Sequence, residues 1–208
     1  AYSCNSSFCN IGLSLDISGY RDTAGDLLFN KALPGNDISP VKSSFSLGGN
    51  ASSSDRMMTA MGQGETQVSP YHMALITSAI ANGGNLMRPY LVEQVTNYTG
   101  SIVREASPES YGSLMTSQEA AQLKAYMQDV TDYGTGSVFA GSGYSVAGKT
   151  GTAEYADGDS SRNHSWFVGF TDVDNPELAI CVIVEQSDGG TRAVDVAKEI
   201  LDSYYYNQ

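Results

Sequence analysis

Cations are scarce in this chain: 11 Lys and Arg stand against 23 Asp and Glu, a formal net charge of −12 over 208 residues. A surface of that sign repels phosphate backbones and anionic lipid headgroups, which excludes nucleic acid as a partner. Histidine is nearly absent. His72 and His164 are the two imidazoles, and neither stands near another ligand-type residue at metal spacing, so no metal and no cofactor is expected. Cysteine is scarce too. Cys4, Cys9 and Cys181 are an odd set with no C-x-x-C pair, which reads as free thiols rather than a disulfide framework. The longest apolar run, Leu178 to Val184, has seven residues, where a spanning helix needs roughly 18. No membrane span is expected in these residues, and Ala1-Tyr2-Ser3-Cys4-Asn5 lacks the basic head and apolar stretch of a signal peptide.

What remains is an α+β pattern of a size that suits one core. Phe8, Ile11, Leu13 and Leu15 suggest a helix from Asn5 to about Ile17, and Asp22 to Leu33 a second. Pro34-Gly35-Asn36-Asp37 and the Ser/Gly-rich stretch from Ser43 to Ser54 read as extended loop. Ser69-Pro70 supplies an N-cap and a first helical position, with Met73, Ile76 and Ile80 on one face until Asn82-Gly83-Gly84. Tyr90 to Tyr98 and Ser101 to Arg104, joined at Thr99-Gly100, form a solvated hairpin. Thr116 with Glu119 is a capping box for a helix through Leu123, Met127 and Val130 that ends at Tyr133-Gly134. The region 5–133 is thus mainly helical. Three strands follow at 145–154, 165–171 and 178–186, then Gly189-Gly190 and a helix from Thr191, whose Val194, Ala197, Leu201 and Tyr204 should lie against the strands.

Chemistry concentrates in Ala147-Gly148-Lys149-Thr150-Gly151-Thr152-Ala153-Glu154. On a strand Thr150 and Thr152 share a face and can both donate to one carboxylate, Lys149 adds a point charge, and Gly151 lets a ligand backbone approach edge-on. A bare Lys-Thr-Gly is weak evidence, but Ser3-Cys4-Asn5 stands far upstream just before a helix. There a serine hydroxyl can relay a proton and an asparagine amide can grip a peptide group with both donor and acceptor.

Together, Ser3-x-Asn5 and Lys149-Thr150-Gly151-Thr152 resemble the second and third signatures of serine acyl transferases of the penicillin-binding protein and β-lactamase type. Gly62-Gln63-Gly64 leading into Ser69-Pro70, Ile80-Ala81-Asn82-Gly83-Gly84 and Trp166-Phe167-Val168-Gly169-Phe170 resemble the transpeptidase domains of penicillin-binding proteins, in family order along the whole chain. The resemblance implies a peptidoglycan D,D-transpeptidase acting on D-Ala-D-Ala stem peptides and acylated by β-lactams. It implies a location on the extracytoplasmic face of a bacterial cytoplasmic membrane, with a membrane anchor expected upstream of these residues. By residue, Ser3 and Lys149 would be catalytic, Ser3 in the proton-transfer network and Lys149 stabilising negative charge. Asn5 would hold the donor peptide, Thr150, Gly151 and Thr152 would bind substrate, and the Thr152 N–H would form half of an oxyanion hole. Glu65 and Glu154 read as surface acids.

The nucleophile of this family is the serine of a Ser-x-x-Lys helix placed ahead of Ser-x-Asn. The one such tetrad here, Ser39-Pro40-Val41-Lys42, follows Ser3 and has no amphipathic pattern behind it. Residues 1–208 are therefore expected to be a partial transpeptidase domain, without the catalytic helix and the first sheet strands and inactive alone. It would need the upstream segment, or self-association, to cover Ile180, Val182 and Val184 or Phe167 and Phe170. The alternative reading is a non-catalytic binding or scaffold module of the cell envelope with the same fold.

Overall fold

A computed structural model describes residues 1–35, 37–154, 163–187 and 190–207. Its centre is a three-stranded antiparallel sheet in the order β5-β6-β7, formed by Ala147–Glu154, Asn163–Thr171 and Leu178–Ser187. Direct partners across it include Thr150 with Phe167 and Lys149 with Val168. Because side chains alternate, Phe167 and Phe170 leave β6 on opposite faces. Phe167 is buried against the final helix α6 (Ala193–Tyr206), among Phe139, Val146, Val194, Ala197 and Leu201. Phe170 is buried on the other face with Ala147 and Val173, under Ile76 and Ile80 of α4 (Pro70–Ala81) and Met127 of α5 (Ser117–Asp132). Burying each such side chain stabilises the fold by about 1.5–3 kcal/mol.

The expectation that Phe167, Phe170, Ile180, Val182 and Val184 lie uncovered is therefore wrong. Both phenylalanines are fully buried, and the three β7 residues pack against the α6 cluster, because helices of this same chain cover both faces of the sheet. Among the helices, the first, α1 (Asn5–Ser14), exposes apolar side chains, with Phe8 41% and Ile11 51% exposed and Leu13 and Leu15 exposed beyond them.

Two helix boundaries also depart from the sequence reading. Asp16 accepts a hydrogen bond from the Gly19 N–H at 2.8 Å and so caps a new helix, α2 (Ile17–Asp26), which ends before Leu33. Within the stretch read as loop, Ser52 and Asp55 form a reciprocal capping box that opens α3 (Ser53–Met61). The Ser69 cap of α4 and the Thr116–Glu119 box of α5 are as expected. The hairpin consists of β2 (Gln94–Thr96) and β3 (Ile102–Glu105) and is solvent-exposed throughout. Two short strands that the pattern did not show, β1 (Asn85–Met87) and β4 (Ser110–Ser113), pair beyond α4. Gly189 lies outside the described residues.

Helices α1 and α3 pack as a pair. A Cβ on Gly12 would sit 2.5 Å from the Ala60 Cβ, so the two backbones touch where neither carries a larger side chain. The Arg56 guanidinium donates to Gly12 O, Leu13 O and Leu15 O at 3.2, 2.8 and 2.7 Å, satisfying the terminal carbonyls of α1 with a cation where the helix dipole is negative.

Candidate active site

Strand β5 is an edge strand, and the site is built along it. Lys149 extends from the face shared with Ala147 and Gly151, and its Nζ donates to Ser3 Oγ and to Thr150 O, each at 2.5 Å. Thr150 and Thr152 lie on the opposite face of the pleat, as the alternation requires. Burial pulls the Lys149 ammonium below its ordinary pKa, so the neutral amine that could take a proton from Ser3 is easier to reach than for an exposed lysine.

Ser3 is held from several sides. Ala1 O accepts the Thr135 N–H at 3.2 Å, and the ring of Tyr2 packs against Tyr133 with centroids 6.4 Å apart. Gly134 leaves room for this, since a Cβ there would meet Ala1 O at 2.5 Å. Ser3 itself has φ +50°, in the left-handed region, which costs a non-glycine residue about 1–2 kcal/mol. Such strain persists only where surrounding contacts over-determine it, and it is more common at functional positions. Asn5, the first residue of α1, is exposed two residues beyond Ser3. Cys4 between them is exposed, and hydrogen bonding from Ser7 holds its thiol below the usual cysteine pKa.

Two neighbours escaped the sequence reading. Thr135, on the turn after α5, meets Thr150 with the two Oγ1 atoms 2.5 Å apart. Gln63 donates from Nε2 to Thr152 O at 3.1 Å and accepts the Glu154 N–H on Oε1 at 3.3 Å. In the sequence Gln63 stands only as part of the Gly62-Gln63-Gly64 motif, with no role attached, and nothing marks Thr135.

Of the site residues chosen from sequence, Lys149, Thr150, Gly151 and Thr152 share strand β5, and Ser3 is brought to it by the Lys149 bond. Ser3, Lys149 and Thr150 are joined directly, Asn5 follows Ser3 into α1, and Gly151 and Thr152 continue the strand. Ser39-Pro40-Val41-Lys42 is an irregular segment with Ser39 and Lys42 exposed, and no helix brings its serine and lysine onto one face. Glu65 and Glu154 are exposed. No group of three or more His, Cys, Asp or Glu that could hold a metal occurs among the described residues. A recess of about 930 Å³ lies between α2 and the β4–α5 junction, lined by Asp26, Lys31, Tyr111 and Glu119 among others, and contains none of the residues around Lys149.

This arrangement can bind an anionic peptide end along β5 and move a proton between Lys149 and Ser3. The chain belongs to the penicillin-binding protein transpeptidase domain family, whose model matches residues 1–202. It is 31% identical over 205 residues to the peptidoglycan D,D-transpeptidase PbpA of Mycolicibacterium smegmatis, covering 92% of this chain and 38% of that protein. It superposes on the D,D-transpeptidase domain of a peptidoglycan glycosyltransferase from Eggerthella lenta with a TM-score of 0.82 at 28% identity, covering 98% of this chain and 52% of the other. The penicillin G acyl-enzyme complex of penicillin-binding protein A from Mycobacterium tuberculosis gives a TM-score of 0.82 at 25% identity, over 97% of this chain and 46% of that one. The chain thus spans well under half the length of the first of these relatives. The mixed helix and antiparallel-sheet architecture expected from sequence agrees with these structures.

Proposed function

We propose that these residues supply the substrate-binding and proton-transfer half of a peptidoglycan D,D-transpeptidase site. The attacking serine comes from a Ser-x-x-Lys segment outside the 208 residues. The observation that carries this reading is the bond from Lys149 Nζ to Ser3 Oγ, which joins the two signatures across 146 positions of sequence. In the reaction, the serine of that segment attacks the carbonyl of the penultimate D-Ala, the terminal D-Ala leaves, and an amine then takes the acyl group. Lys149 and Ser3 relay a proton, Thr150 and Thr152 hold the terminal carboxylate, Gly151 admits the peptide to the edge, Asn5 grips a peptide amide, and the Thr152 N–H faces the developing oxyanion.

The exposed apolar residues of α1 support the companion proposal that an upstream segment of the same domain, or a second copy of the chain, covers that helix. The working location is the outer face of a bacterial cytoplasmic membrane. Penicillin labelling tests the reading. The chain alone should not be labelled, and adding the Ser-x-x-Lys segment should restore labelling that Lys149→Ala abolishes. Restored labelling unaffected by Lys149→Ala removes β5 from the site. A cell-envelope binding module without catalysis, the other reading of the same fold, predicts no labelling under any combination.

A further inference from the structure

Along β5 each residue's N–H and C=O point to the same side, so Thr150, Thr152 and Glu154 turn their main-chain groups away from β6 toward the open edge. Two of those groups are already taken by one side chain. Gln63 donates to Thr152 O and accepts from the Glu154 N–H, so its carboxamide offers β5 a donor and an acceptor on one side, as the N–H and C=O of a residue in an added strand would.

We propose that Gln63 is a strand-mimicking gate on the peptide-binding edge, a side chain that an incoming peptide must displace from Thr152 O in order to pair with β5. The inference rests on the reading of β5 as the edge that receives the substrate peptide. Its further content is that this edge is occupied in the resting protein, and that Gln63 sets a threshold for which peptides can enter.

The local structure supports a moving side chain on a fixed backbone. α3 ends in a Schellman motif, with Gly62 N–H bonded to Thr59 O at 3.0 Å and Gln63 N–H to Met58 O at 2.9 Å. Gly62 and Gly64, at φ +83° and +82°, flank Gln63 in a conformation that other residues adopt at a cost. The backbone of Gln63 is thereby tied to α3, and α3 to α1 through Gly12 and Arg56. Ser3 and Gln63 thus reach β5 from one helix pair. The two carboxamide bonds, at 3.1 and 3.3 Å, are longer than the usual 2.9–3.0 Å for such bonds, so a well-aligned peptide can compete for the same groups.

The test uses isotope-labelled protein titrated with Nα,Nε-diacetyl-Lys-D-Ala-D-Ala and followed by NMR. In the wild type, the Gln63 side-chain amide signals, identified by their loss in Gln63→Met, should shift in step with the Thr150 and Thr152 main-chain amides. Gln63→Met keeps the bulk without donor or acceptor and should bind the peptide about 3- to 10-fold more tightly, the worth of one displaced hydrogen bond. Peptide binding that moves Thr150 and Thr152 but leaves the Gln63 signals in place overturns the gate and leaves the transpeptidase reading standing. Equal or weaker binding by Gln63→Met overturns it likewise. Failure of the peptide to perturb β5 in either protein overturns both.

Discussion

Replacing Gly12 by alanine puts the α1–α3 pairing to a quantitative test. In an exposed helix interior the change would stabilise the helix by about 1 kcal/mol. Here the new Cβ would lie 2.5 Å from the Ala60 Cβ and 3.0 Å from Arg56 O. Carbon atoms rest at about 3.5–4.0 Å, so the helices must part by roughly 1 Å. That separation also strains the three bonds from Arg56 to the α1 carbonyls. Overpacking of this kind costs about 1–3 kcal/mol, so after the propensity gain Gly12→Ala should lower stability by about 0–2 kcal/mol instead of raising it by about 1 kcal/mol. Ala60→Gly alone should cost about 1 kcal/mol through helix propensity. In the double variant the 2.5 Å contact with the Ala60 Cβ disappears while the 3.0 Å approach to Arg56 O remains, and the two changes should couple favourably by about 1–2 kcal/mol. Urea denaturation midpoints with unchanged slopes measure all four corners of the cycle. A Gly12→Ala protein more stable than the parent by about 1 kcal/mol, the full propensity gain, or strict additivity in the double variant, would refute direct backbone contact between α1 and α3.

Phe167→Ala should cost about 3–5 kcal/mol, because the ring is fully buried between the sheet and α6, and a fall in melting temperature of only a degree or two would contradict that burial. Lys149 is held below its ordinary pKa by burial, so the folded state binds its proton less readily than the unfolded chain does. Relative to Lys149→Met, the parent should therefore gain stability as pH rises toward the ordinary lysine value of about 10.4, and a stability difference flat between pH 7 and 10 would deny the desolvation. Cys4, exposed and held low by Ser7, should be alkylated by iodoacetamide at pH 8 at least about 10-fold faster than Cys181, whose thiol burial pushes up to about 11. Peptide mass mapping reads the order, and equal rates would count against the placement of Cys181.

Elements whose signals are local were legible from sequence. The Thr116–Glu119 box, the Ser69-Pro70 start and the three final strands each depend on residues within a few positions of one another, and each is where the spacing put it. The failures at α2 and α3 are of another kind. Asp16 and Ser52 carry ordinary capping signals, but Asp16 lies inside an apolar pattern that reads as one continuing helix, and Ser52 lies inside a serine run that reads as loop. Composition outweighed the local capping bonds in both places. The mistaken exposure of Phe167 and Phe170 had a different source, since reasoning from missing strands ignored that α4, α5 and α6 already cover the sheet.

For the site the division is sharper. Lys149, Thr150, Gly151 and Thr152 sit on one strand, where alternation alone assigns faces, and Ser3 was legible because its tripeptide is distinctive. Thr135 and Gln63 touch the strand from the end of α5 and the end of α3, joined to it by hydrogen bonds that span 15 and 89 positions. No periodicity within either segment encodes such a contact, because its geometry is fixed by how α1 lies on α3 and how α5 meets β5. The Gly12–Ala60 contact therefore governs more than stability. If α1 is pushed off α3, Ser3 and Gln63 should leave β5 together, so Gly12→Ala should loosen the Lys149 contact and the Thr152 contact in the same variant. Amide exchange at Glu154, whose N–H is held by Gln63, should rise in Gly12→Ala and return toward the parent rate when Ala60→Gly is added. An unchanged Glu154 rate in Gly12→Ala would show that the two ends of the helix pair reach the strand independently.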